Sequence, residues 1–151
     1  MLRCLGFVGV VISFFMIPTP TEAKLYQPKR AEYQYQYDGG TDLIMRARTF
    51  LGTNPTGRHS LWCGAFMAMV APSAARHIRN PNLARNWASL PHTYPHVGAI
   101  AVFARGRGGH VGLITEIRGN YLIVISGNHG HRVAIGKYPR SRVIAYVSGY
   151  V

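Results

Sequence analysis

Val111-Gly112-Leu113-Ile114-Thr115-Glu116-Ile117-Arg118-Gly119-Asn120-Tyr121-Leu122-Ile123-Val124-Ile125 decides how the chain folds. Two β-rich runs, residues 111–117 and 121–125, flank Arg118-Gly119-Asn120, which reads as a hairpin turn. Similar short runs lie on both sides, at residues 99–104, 132–136 and 143–147. Upstream of Gly98 the pattern is helical. Thr41 is a good N-cap, Leu43, Ile44, Ala47, Phe50 and Leu51 recur at helical spacing, and Gly52 ends the run. A second helix opens near Leu61 and runs through Phe66, Met67, Met69 and Val70 to a bend or end at Pro72. A short third helix follows Pro81, carrying Leu83, Trp87 and Leu90. Helices first and an antiparallel sheet afterwards make an α+β fold, with N-terminal helices packed on a small C-terminal sheet.

The first 40 residues read differently. Met1-Leu2-Arg3 is a short positive start, and residues 5–17 are apolar apart from Ser13 and the glycines. Pro18-Thr19-Pro20 and the small-x-small Thr21-Glu22-Ala23 complete a secretory signal cleaved after Ala23, so residues 1–23 are expected to be lost on export. Residues 24–40, with Tyr26, Tyr33, Tyr35 and Tyr37 among glutamines, have no helical stripe and read as a flexible tether. Residues 41–151 form one domain. The expected location is the periplasm or the extracellular wall, with no stable membrane anchor after cleavage.

With 17 Lys and Arg against 5 Asp and Glu, the 151-residue chain carries a net charge of +12. Such a field attracts polyanions. The basic residues are spread along the chain without a nucleic-acid motif, and export removes the usual partner, so nucleic acid is not the expected ligand.

Of the two cysteines, Cys4 lies in the signal, leaving Cys63 alone in Ser60-Leu61-Trp62-Cys63-Gly64-Ala65-Phe66. A lone cysteine in an exported domain is a packed residue, an intermolecular partner or a reactive thiol. Cys63 falls at a helix start, where free N–H groups and the helix dipole stabilise a thiolate and can donate to an oxyanion. His110 follows Gly108-Gly109 at a strand start, and Asn128 ends the next strand, where it can neighbour His110 across the hairpin. Cys, His and a polar orienting residue in that order suit thiol-based amide hydrolysis. Taken singly, each has a structural reading; the conjunction favours catalysis. A side-chain oxyanion donor could come from Asn54, Arg58 or Ser60. Zinc on His110, His129, His131 and Cys63 is the competing constellation. It lacks a carboxylate nearby in sequence, and His92 and His96 sit between prolines, so no metal or cofactor is expected.

Trp62-Cys63-Gly64-Ala65-Phe66 resembles the Trp-Cys-x-x-Phe nucleophile segment of CHAP domains, the cysteine, histidine-dependent amidohydrolases/peptidases related to NlpC-type wall hydrolases and papain. Gly98-Ala99-Ile100-Ala101-Val102-Phe103 is similar to their Gly-Asp-Ile-x-Val-Phe strand. Gly109-His110-Val111-Gly112 matches their histidine segment, and Ser126-Gly127-Asn128 resembles their closing Gly-Asn pair. The resemblance implies a papain-like fold. It also implies a bacterial amidase or endopeptidase acting on peptidoglycan or its stem peptides, with Cys63 as nucleophile, His110 as base and Asn128 orienting it. Ala99 replaces the usual Asp, His129 a frequent Gln, and Ser126 stands where some members carry Glu, so Asn128 orients His110 alone or with Ser126. The alternatives are a CHAP-like module that binds wall or partner without catalysis, and an interaction protein working through its basic surface.

Overall fold

The computed structural model describes residues 40–106 and 108–150. The expected export signal, residues 1–23, and all of the expected tether except Gly40 lie outside the described residues. Helix α1 covers residues 40–48, so Gly40 and Thr41 are already helical. Helix α2 spans Cys63–Val70, and α3 spans Pro72–Ala75. The residue before a proline is pushed out of helical geometry, so Ala71 ends α2 with ψ 68° and Pro72 opens α3. The third expected helix is a 3-10 turn, Ala84–Ser89, around the buried Trp87, whose Nε1 donates to the Pro81 carbonyl at 2.8 Å.

All five expected strands are present: β1 (Ile100–Arg105), β2 (Gly108–Arg118), β3 (Tyr121–His129), β4 (Arg132–Pro139) and β5 (Val143–Val147). They form one antiparallel sheet in the order β4-β3-β2-β1-β5. Strand alternation gives the sheet two apolar faces. Ile100, Val102, Val111, Leu113, Ile125 and Val133 pack with Trp62, Phe66, Met67 and Trp87 under the helices. Ala101, Phe103, Ile114, Leu122 and Val124 form a smaller cluster with Tyr138 and Tyr146. This is a papain-like α+β fold. No helix among the described residues is long and apolar enough to cross a membrane.

Two glycines seat α2. A Cβ on Gly64 would run into the carbonyls of Pro81 and Asn82. A Cβ on Gly127 would lie 2.6 Å from both the Phe66 Cβ and the Trp62 ring. Gly127 therefore lets the helix bearing Cys63 lie directly on β3. Gly127→Ala should cost about 1–3 kcal/mol by overpacking. Thermal unfolding checks it, and an unchanged midpoint would show that α2 does not need this close approach.

Candidate active site

Cys63 is the first residue of α2 and only 6% exposed. Backbone N–H groups of Val111, Gly64 and Cys63 itself point at its sulfur, so the nucleophile candidate lies against β2 right after His110. Burial nevertheless wins over these donors and pushes the thiol above its ordinary value. The helix start alone predicts a stabilised thiolate; packing at this position reverses that direction.

His110 is 3% exposed on the opposite face from Val111, opposite Phe103 in the β1–β2 ladder. Burial, then the positive fields of Arg105, His129 and Arg142, push its pKa down from 6.5 to about 4. Its Nε2 lies 2.9 Å from Ser126 Oγ and 3.1 Å from Tyr138 OH. Tyr138 stacks on the imidazole at 5.2 Å and 19°, and its hydroxyl is also 2.8 Å from His129 Nδ1. Burial raises the Tyr138 pKa, so the phenol remains an O–H donor. His110 Nδ1 is buried without a hydrogen-bond partner.

Asn128 is placed differently from the sequence expectation. It has φ +58°, within the irregular stretch where β3 slips against β4 between Ser126 and His129. Ser126, two residues earlier, takes the bond to His110, and among the described residues none joins His110 to Asn128. Asn128 instead lines two clefts. One, of about 310 Å³, contains His110, Tyr138, His129, Arg105 and Arg142. The other, of about 450 Å³, contains Cys63, Leu61, Leu83, Arg85 and Arg105. Cys63 and His110 thus face the junction at Asn128 and Arg105 from either side, without a direct hydrogen bond.

Asn54 is spent on its own loop, donating to the Arg58 carbonyl and accepting from Thr56. Neither it, Arg58 nor Ser60 lines either cleft. No group of three or more His, Cys, Asp or Glu among the described residues is arranged to hold a metal ion.

The family model described as CHAP domain matches residues 53–128, half of the chain. The chain belongs to the CHAP family. No curated protein matches it. Among solved structures, this CHAP domain is similar in fold to the crystal structure of Ly7917, with a TM-score of 0.50 and 17% identity over 72% of this chain and 62% of that one. Ly7917 with the hydrolyzing product of MDP gives 0.47 and 17% over 71% and 61%. The chain thus spans less than two thirds of the length of Ly7917. The family match stops at Asn128, so Tyr138 and Arg142 lie beyond it.

A neutral His110 and a neutral Cys63 thiol set the pH limits of any reaction that uses both groups. The base is lost as pH falls through about 4, and the thiol proton is lost only above the ordinary thiol range. A profile of kcat/KM on a soluble peptide should show these two limbs; an acid limb near pH 6–7 would indicate a thiolate–imidazolium resting pair. Stability shares the acid limb. The folded pKa of His110 is depressed, so the unfolded chain takes up this proton first. Stability therefore falls from pH 6.5 to about 4, by roughly 3 kcal/mol for this group.

Proposed function

We propose that this CHAP domain is an exported cysteine hydrolase of amide bonds in peptidoglycan, acting as an amidase or endopeptidase. The observation that carries the chemistry is the orphaned, buried Nδ1 of His110, with Cys63 Sγ lodged against the next backbone N–H. Family membership supports the wall as substrate. The leader pattern at residues 1–23 supports export, and residues 24–40 are read as a tether to the domain at 41–151.

The hydrogen bonds suggest the working tautomer. With the proton on Nε2, His110 donates to Tyr138 OH and Ser126 Oγ, Tyr138 donates to His129 Nδ1, and Nδ1 is left as the base. Cys63 Sγ attacks the amide carbonyl while Nδ1 takes the thiol proton. The N–H groups at the start of α2 receive the developing oxyanion in this reading. The C–N bond breaks, His110 returns the proton to the departing nitrogen, and a thioester remains. Water, deprotonated by Nδ1, attacks that thioester; the S–C bond breaks and the thiol is restored. The neutral Ser126 and Tyr138 stabilise imidazolium less than a carboxylate would, so the charged pair exists only in passage. Asn128 faces substrate space on both sides of the junction.

Digestion of purified sacculi followed by mass spectrometry of the soluble fragments tests this function. New amino and carboxyl termini in the peptide portion, or a freed lactyl carboxylate, are expected. New reducing sugar ends, or no release at all, would overturn it.

A further inference from the structure

The hairpin between β1 and β2 gathers positive charge that the described fold does not neutralise. Arg85 donates through Nε to the Gly108 carbonyl at 2.6 Å and through Nη2 to that of Gly106 at 3.2 Å. Arg142 donates through Nε at 3.3 Å and Nη2 at 2.9 Å to the Ala104 carbonyl. Carbonyl acceptors hold a guanidinium in place without cancelling its charge. Arg105, at the end of β1, makes no hydrogen bond or ion pair among the described residues, and it lines both clefts. The only acidic residues among those described are Asp42 and Glu116, and Glu116 is already paired with Arg118. Arg105 and Arg142 line the same cleft as His110 and Tyr138, and their positive fields act to lower the pKa of both groups.

The cleft they share with His110 belongs to one side of the scissile bond. On the hydrolase reading, His110 hands its proton to the departing nitrogen, so the fragment bearing that nitrogen lies over His110. We propose that Arg105 and Arg142 form a carboxylate subsite that selects substrates carrying a free carboxylate on the amine-side residue. This rests on the function proposed above. The anchored fork of Arg142 gives geometry, with Nη1 unengaged among the described residues, and Arg105, without an ion pair among them, gives charge at the junction with the Cys63 cleft.

Two synthetic peptides, identical except for a free carboxylate or a carboxamide on the residue after the scissile amide, test the subsite with the full chain. The wild type should prefer the carboxylate by about tenfold in kcat/KM, mostly through KM. Arg105→Gln and Arg142→Gln should each bring that ratio close to one. Arg142→Gln loses its anchor on Ala104, whereas Arg105→Gln breaks no hydrogen bond, so loss of fold cannot explain both. A ratio near one in the wild type, or an unchanged ratio in both variants, would overturn the subsite.

Calorimetric binding of the amine-side fragment to Cys63→Ala separates this from the reaction itself. Carboxylate-dependent binding that Arg105→Gln removes, with no turnover by the wild type, would keep the subsite and sink the hydrolase. Turnover without carboxylate preference would do the reverse. Inorganic phosphate competing as well as the carboxylate fragment would make this a general anion site and overturn the assignment.

Discussion

Replacing Cys63 by alanine should abolish release of muropeptides, a loss of roughly 10⁵-fold or more, because the acyl intermediate of the proposed route forms on its sulfur. Cys63 sits at a helix start with 6% exposure, and removing its sulfur leaves the Val111, Gly64 and Cys63 N–H groups where they are. The cost in stability should be only about 1 kcal/mol. Soluble release measured beside thermal unfolding separates the two. Unchanged release by the alanine variant would show that Cys63 is a packed core residue.

His110→Ala should lower turnover by roughly 10³-fold, the usual contribution of a positioned general base. Asn128→Ala should lower it far less, within about tenfold, since the hydrogen bonds on His110 come from Ser126 and Tyr138. Tyr138→Phe keeps the ring stacked on the imidazole and removes only the hydroxyl, so its loss should also fall well short of that of His110→Ala. Turnover numbers on one soluble peptide, with folding checked by circular dichroism, compare the three. Equal losses for Asn128→Ala and His110→Ala would mean that Asn128 orients the base after all.

Residue pattern made the five strands and the position of Cys63 legible, because both rest on local signals. Alternation, the Gly119 turn and the Pro72 break are written in neighbouring residues. Of the two partners of His110, Ser126 was within the expected pattern, whereas Tyr138 was not. Strand β4 runs on to Pro139, three residues beyond the 132–136 run, and this extension brings Tyr138 onto the face of His110 from 28 residues away. Gly136 was the available signal, since a Cβ there would strike the His129 ring and crowd Tyr138. Asn128 was expected to end its strand as a neighbour of His110 across the hairpin. Its left-handed backbone, tolerated by Asn and followed by His129-Gly130, breaks the alternation. The state of the Cys63 thiol was illegible for another reason. A helix start argues for thiolate in any sequence, whereas the burial that outweighs it comes from packing against β2, which only the folded chain reveals.

A covalent route through Cys63 leaves a thioester that an added nucleophile can intercept. Hydrolysis of a stem peptide in rising concentrations of hydroxylamine, with products read by mass spectrometry, measures that intermediate directly. The acyl fragment should appear as hydroxamate in proportion to hydroxylamine, at the expense of the free acid, and Cys63→Ala should form neither. Free acid alone at every hydroxylamine concentration would contradict nucleophilic catalysis by Cys63.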